Sequence, residues 1–460
     1  MYPYELVVIG SGPGGAYGAI RAAQLGLRVA LVEKDEVGGV CLNRGCIPSK
    51  AIIRSAQIFE LLKEAKTFGI GLEKVSLDYP IVIERSRKIV DRLSKGLEFL
   101  LKKNKVDLIK GKASIADPHR VLVEPSVTLD TEKILISTGS TVKEVSGFKM
   151  DEKFIISSDR ALMQEVLPKS IFILGGGVVG VEFAYLYRSF GVDVTILEAQ
   201  SRLLPSLDAD LGAELERSFR KKGIKVLCSS RASRAQVENS VLKISYEDKT
   251  RVEKELYAHQ VLVGIGRKAL SEELGLEKLG IELANGYIKV RDNFQTSLPS
   301  IFAIGDVIGP PLLAHAASEE GKAAVEMMAG KRHAPLTKTA IPSCVYCHPE
   351  VASVGLSEEE AKNLNLTVKV GKFPFRASGR ALAEGHDEGF VKVIVDGSSG
   401  KLLGGHIMGE GATELIAELT LIQSLGLSVE QVLDVVHAHP TLSEAVHEAL
   451  LASQGRSLNI

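Results

Sequence analysis

The sequence predicts an α/β fold in which one unit of strand, glycine turn, helix and strand is used twice and an α+β domain follows. Three observations predict it. A glycine-rich turn between an apolar strand and a helix occurs twice in the same register, several further apolar runs end in glycine, and after about residue 340 the pattern changes to alternating strands and helices. At 460 residues the chain has room for three or four packed units.

The first unit reads as a buried strand, Leu6 to Ile9, then Gly10-Ser11-Gly12-Pro13-Gly14-Gly15, a helix from Ala16 to Leu25 stopped by Gly26, and a strand from Arg28 to Val32 ending at Glu33. In this context the glycines have separate tasks: Gly10 makes the turn, Gly12 lets a pyrophosphate approach amides at a helix N-terminus, and Gly15 lets helix and strand pack closely. Glu33 is placed to accept both ribose hydroxyls. The same grammar returns at Ile171 to Leu174, Gly175, Gly177 and Gly180, a helix ending near Gly191, and a strand from Val194 to Leu197 ending at Glu198. Gly10, Gly12, Gly15 and Glu33 map onto Gly175, Gly177, Gly180 and Glu198 with one offset, an internal repeat of two Rossmann-like dinucleotide units. Glu198 favours NAD over NADP, since a 2′-phosphate there would meet a carboxylate; Arg202 is the one residue that argues otherwise.

Runs ending at Thr138 and Gly139, at Gly266, and at Gly305 and Asp306 suit parallel strands that deliver backbone to the ligand edge of a sheet. Asp306 would reach a dinucleotide side chain or cap the following helix. After residue 340, strands at Glu350 to Gly355, Phe390 to Val395 and Leu402 to Met408 precede helical patterns, as in an antiparallel sheet with helices on one side.

The net charge of −1 argues against nucleic acid as a partner. No signal or presequence pattern opens the chain, and the most apolar stretch, Ile171 to Val181, is interrupted by Glu182 and too short for a membrane span, so a cytoplasmic protein is expected. Five cysteines in such a chain are no secreted disulfide framework, and any pair that oxidises is expected to be chemical. No metal motif is present: Cys344 and Cys347 form a lone CxxC without a second pair or histidines at zinc spacing, and these two and Cys228 read as structural.

Cys41 and Cys46 follow directly on the first unit's acid. Positions five apart in a regular helix lie roughly 8 to 9 Å apart, beyond the bridgeable range of about 7 Å, so either the turn is distorted or no disulfide forms. Gly45 supplies the freedom for distortion, and Pro48 suits a helix's first turn, which puts Cys46 where helix amides and Lys50 favour a thiolate. Two buried cysteines serving as small apolar residues remain the alternative. Far along the chain, His439 and Glu444 supply an imidazole and a carboxylate that could orient it, the residue types needed to deprotonate a thiol; a histidine satisfied at a helix start would use the same residues.

The string GGVCLNRGCIPSKA, residues 38 to 51, resembles the redox segment of the flavin disulfide reductases, and its CIPSKA ending resembles the dihydrolipoamide dehydrogenase branch. HAHPTLSEA, residues 437 to 445, resembles the same family's C-terminal signature. The resemblance covers essentially the whole chain and implies an FAD-binding domain over 1–145, an NAD-binding domain over 146–270, a central domain over 271–340 and a dimer interface domain over 341–460. It implies that Cys41 exchanges with substrate, that Cys46 contacts the flavin, that Lys50 lies near the flavin paired with Glu182, and that His439, oriented by Glu444, is the base of the other subunit's site in an obligate homodimer. His437 is expected to help packing. The activity implied is oxidation of protein-bound dihydrolipoamide with reduction of NAD, through FAD, with a lipoyl-bearing acyltransferase subunit of a 2-oxoacid dehydrogenase complex or a glycine cleavage carrier protein as partner. Arg44 stands where this family usually has a small apolar residue.

Three other readings compete. A mercuric reductase would carry paired cysteines near its end, where this chain has Ser457-Leu458-Asn459-Ile460. A glutathione reductase-like enzyme fits neither Glu198 nor CIPSKA, and a non-catalytic flavoprotein scaffold would need neither the thiols nor the His439 and Glu444 pair.

Overall fold

The computed structural model describes residues 2–332 and 340–460. Two compact units are present, each assembled from separate stretches of chain: 2–52, 80–143 and 266–332 in the first, 53–79, 144–265 and 340–460 in the second. The expected boundary at residue 340 adjoins residues 333–339, which lie outside the described residues.

In the first unit, the strands Asp107–Lys110, Val29–Glu33, Tyr4–Ile9 and Val127–Ile136 lie side by side and parallel, with Ile301–Ala303 on the far edge of Val127–Ile136. Because side chains alternate between faces, Leu6 and Val8 enter one core while Val7 and Ile9 enter the other. All four are fully or almost fully buried, each adding roughly 1.5–3 kcal/mol of apolar stabilisation, and a strand covered on both faces reads as an unbroken apolar run. The first helix spans Pro13–Gln24, starting before Ala16. Its Gly14 and Gly18 lie against Ala314–Met328, where a Cβ on Gly14 would meet the Ala317 carbonyl at 2.9 Å and one on Gly18 the Gly321 carbonyl at 3.3 Å.

In the second unit, Lys225–Leu227, Asp193–Leu197, Ser170–Leu174, Gln260–Val263 and Ile155–Ile156 form a five-stranded parallel sheet. A three-stranded antiparallel sheet, Arg231–Glu238, Val241–Glu247 and Glu253–Ala258, packs into the same core. The C-terminal part is a five-stranded antiparallel sheet in the order Ser343–Val345, Glu350–Gly355, Leu402–Gly409, Phe390–Asp396, Val368–Pro374, with helices Ala412–Ser424 and Glu444–Ser453 sharing its apolar core.

This sheet also carries a buried charge. Lys392 is 3% exposed, and its Nζ lies 3.0 Å from Asp208, 2.8 Å from Glu358 and 3.3 Å from Asp210. Burial works against ionisation of Asp208, but His406, the amide of Glu358 and Lys392 outweigh it and hold the carboxyl below its ordinary value. Lys392→Ala would strand these carboxylates and is expected to cost about 3–5 kcal/mol at neutral pH. Because the folded carboxyls titrate below their unfolded values, this contribution is complete above about pH 4–5 and is lost as pH falls through the lowered values. The loss of thermal stability should therefore shrink in acid; a variant melting with the parent at pH 7 would show the cluster to be energetically idle.

Candidate active site

The redox segment is a helix broken between its two thiols. Gly39–Arg44 forms one short helix, Gly45 leaves helical geometry at φ −146° and ψ −112°, and Cys46–Glu64 begins the next. A Cβ on Gly45 would meet the Val40 carbonyl at 2.9 Å and Cys41 Cα at 3.2 Å, so the break folds the chain back onto Cys41 only because residue 45 lacks a side chain. The distortion expected from the spacing is present. The two thiols are unbonded and in contact, and donation to Cys46, followed by burial, pushes the Cys41 thiol up, with the Lys50 charge acting the other way. Of the two sulfurs, Cys41 keeps its proton, while Cys46, as the first residue of its helix, lies at the end that favours an anion.

Side chains that sequence reasoning missed fix this segment. Asn43 Nδ2 donates to the carbonyls of Val37 and Gly39, both at 3.0 Å. From the long helix Tyr79–Lys103, Arg87 Nη1 donates to the Asn43 carbonyl at 2.6 Å and Ser94 Oγ to the Val37 carbonyl at 3.0 Å. Arg44 points to Asp35, with Nη2 to Oδ2 at 3.3 Å. The segment rests on the first glycine turn: Ser11 Oγ accepts from Gly38 N at 3.0 Å, and a Cβ on Gly39 would lie 2.8 Å from Gly12 Cα.

The two glycine turns repeat each other in their close packing and in the two amides that hold each acid, and Ser11 Oγ adds a further bond to Glu33 in the first. Cβ atoms on Gly15 and Gly180 would each sit 1.9 Å from a carbonyl, that of Gly10 and of Gly175, so neither position tolerates a side chain. Gly12 and Gly177, by contrast, have nothing within 4 Å of such an atom; both are N-caps of their helices, leaving room for a phosphate to meet the first amides. Glu33 accepts from Ser11 N at 2.8 Å and Asp35 N at 2.8 Å, and Glu198 accepts from Gly176 N and Gln200 N, both at 2.6 Å. Each carboxylate is thereby held at the end of its strand with lone pairs to spare for ribose hydroxyls. Arg202 is engaged by Glu359, Nη2 to Oε2 at 2.5 Å.

In the first unit Asp306 is the second residue of a 3-10 turn, Gly305–Ile308, and its carboxylate accepts from Ser140 Oγ, which also receives Arg267 Nε at 2.6 Å. Gly305 N donates to the buried Glu320 at 2.7 Å, and Thr138 Oγ1 to the Leu270 carbonyl at 2.7 Å, with Gly139 alongside at φ +72°. Gly266 is at φ +108°. Glu182, buried in Val178–Ser189, accepts from Tyr346 N at 3.0 Å.

In the second unit His439 Nδ1 lies 2.8 Å from Glu444 Oε1, and the His439 side chain is 79% exposed. The Thr441 amide, then the His439 hydrogen bond, hold the Glu444 carboxyl below its ordinary range. An anionic Glu444 accepts Nδ1–H, which leaves the ring's lone pair on Nε2. His437 packs instead, stacked on His447 at 4.9 Å and bonded to Glu418 at 2.8 Å. Cys344 is in a strand, Cys347 beyond its end, where its buried thiol donates to the Pro349 carbonyl.

These features have known counterparts. Residues 4–321 match the family described as pyridine nucleotide-disulphide oxidoreductase, and residues 341–450 match its dimerisation domain. The chain belongs to this family. Among its members, dihydrolipoyl dehydrogenase from Chlorobaculum tepidum is 44% identical over 97% of this chain and 96% of the relative, and that from Bacillus subtilis 42% over 99% of each. LpdA from Mycobacterium tuberculosis superposes with a TM-score of 0.90 at 25% identity, covering 97% of this chain and 99% of that structure. This pyridine nucleotide-disulphide oxidoreductase is thus a flavoprotein that uses FAD and NAD, of the dihydrolipoyl dehydrogenase type, as the redox string implied; the glutathione reductase-like and scaffold readings are not favoured. It carries a dimerisation domain, and among the described residues no helix is long and apolar enough to cross a membrane.

Proposed function

We propose that Cys41 and Cys46 are the redox pair through which dihydrolipoyl groups on a carrier protein are oxidised, with His439 of the partner subunit as the base. The observation that carries this is the folded-back pair of thiols resting on the Gly12 turn. In the oxidised pair the substrate thiol loses its proton to Nε2 of the imidazole and attacks Cys41 Sγ, releasing Cys46 as thiolate. The second substrate thiol then attacks the substrate sulfur of the mixed disulfide and passes its proton to the departing Cys41, closing the lipoyl disulfide and leaving Cys41 as thiol and Cys46 as thiolate. Bound FAD would supply the two-electron chemistry that links this reduced pair to hydride formation on NAD. Gly10, Gly12, Gly15, Glu33, Lys50, Thr138, Gly139, Gly305 and Asp306 would hold FAD, and Gly175, Gly177, Gly180, Glu182, Glu198 and Gly266 the NAD, Glu198 favouring it over NADP. Domains 1–145, 146–270, 271–340 and 341–460 would serve flavin, nicotinamide, central and interface roles. The exposure of His439 in one protomer, together with the dimerisation domain, supports a homodimer with two shared sites.

The carrier would be a lipoyl-bearing acyltransferase subunit of a 2-oxoacid dehydrogenase complex or a glycine cleavage carrier protein. Five cysteines, too few for a secreted disulfide framework in a chain of this length, favour the cytoplasm. Adding one equivalent of dihydrolipoamide to the oxidised holoenzyme without oxygen should give a long-wavelength band from a thiolate beside oxidised flavin. A spectrum that stays unchanged, or bleaches without that band, would overturn the assignment.

A further inference from the structure

Three loops at one end of the C-terminal sheet bring together side chains that neither dinucleotide turn nor the redox pair uses. His348 lies just before Glu350–Gly355, His386 before Phe390–Asp396, and Glu410 just after Leu402–Gly409. The antiparallel register sets these ends side by side, Glu350 opposite Gly409 and Phe390 opposite Met408. His348 Nδ1 is 3.5 Å from Glu410 Oε2, the two imidazole rings are 5.0 Å apart, and one ligand atom from each of the three residues lies within 4.8 Å of the others. From these juxtaposed donors we infer a binding site for a divalent transition cation of the zinc or copper class, held by His348, His386 and Glu410.

Two imidazoles and one carboxylate match the donor preference of those ions, and three protein ligands leave a position for water. In a tetrahedral shell with bonds of about 2.0–2.1 Å the donors stand roughly 3.3–3.4 Å apart, so the His348 to Glu410 spacing already fits and the remaining separations close by a side-chain adjustment of about an ångström. The ligands are reachable. They line an open cleft of about 720 Å³, and the side chains of His348 and Glu410 are 20% and 39% exposed. Lys222 opposes a cation in this cleft, but Glu60 lies 3.9 Å from its ammonium, and Glu410 brings the compensating charge to the ligands themselves.

Zinc is the probe, titrated calorimetrically into the oxidised holoenzyme, in which the redox pair is closed as a disulfide. One equivalent per chain is expected to bind the parent protein. His386→Ala and Glu410→Gln should each weaken it by more than about tenfold, since loss of a ligand exceeds the 10–100-fold cost of losing a ligand's supporting partner. Both variants should keep the parent's flavin content and melting temperature, because neither residue belongs to a core cluster. Copper(II) in place of zinc should give an electron paramagnetic resonance spectrum split by two nitrogens, reduced to one in His386→Ala. Failure of the parent to bind zinc, or binding by both variants as tightly as by the parent, overturns the site.

Discussion

A Cys46→Ser enzyme is expected to oxidise dihydrolipoamide at least about a thousandfold more slowly than its parent, while still passing electrons from NADH to an artificial acceptor. The two activities part because they use different lengths of one relay. Flavin and nicotinamide exchange hydride without the thiols, whereas electrons from a dithiol must cross the Cys41 and Cys46 pair. A hydroxyl at position 46 can neither close a disulfide with Cys41 nor leave as a stabilised anion when substrate attacks. Local folding should tolerate the change, since position 46 opens a helix and serine suits a helix start. Retained reaction with the artificial acceptor shows that the flavin site is intact, so loss of dithiol oxidation alone is assigned to the missing sulfur. Dihydrolipoamide turnover within tenfold of the parent would remove the pair from the mechanism.

What the sequence made legible follows from how local the physics is. Gly10, Gly12, Gly15 and Glu33 could be read because a tight turn, a close helix and a strand-end acid are satisfied within one short stretch, and the second copy repeats the two amide hydrogen bonds to the acid. The broken helix at Gly45 was readable for a similar reason: spacing alone rules out a regular turn if the sulfurs are to meet. The first helix was placed too late, at Ala16, because Gly14 and Gly15 are poor helix formers; packing of Gly14 on Ala317 overrides that preference. The strand Arg231–Glu238 escaped notice because most of its side chains are exposed, which erases the two-residue alternation. Arg87 and Ser94, which clamp the redox segment, look like any charged helix surface until tertiary structure carries them to Asn43 and Val37. The His348, His386 and Glu410 cluster is likewise assembled by sheet register from three loops, so no spacing in the chain announces it.

His439→Gln is expected to lower kcat/KM for dihydrolipoamide by about 10²–10⁴-fold at neutral pH, and the deficit should shrink as the pH is raised. A substrate thiol with a pKa near 8.5 is mostly protonated at neutrality, so attack on Cys41 requires a group that takes the proton as the sulfur reaches it. Glu444 anchors Nδ1 at 2.8 Å and is itself held anionic, first by the Thr441 amide and then by the imidazole, which keeps Nε2 as the accepting atom. Glutamine retains a hydrogen-bonding side chain but has no basic nitrogen. Above the substrate's own pKa the thiolate forms unaided, and parent and variant should converge. A purely structural role for His439 would give a deficit independent of pH, or one mirrored in the NADH reaction with an artificial acceptor. Measuring both reactions across pH 6.5 to 9.5 separates these outcomes: a flat ratio for dihydrolipoamide, or equal losses in the two reactions, would take proton transfer away from His439 and leave it as a surface residue.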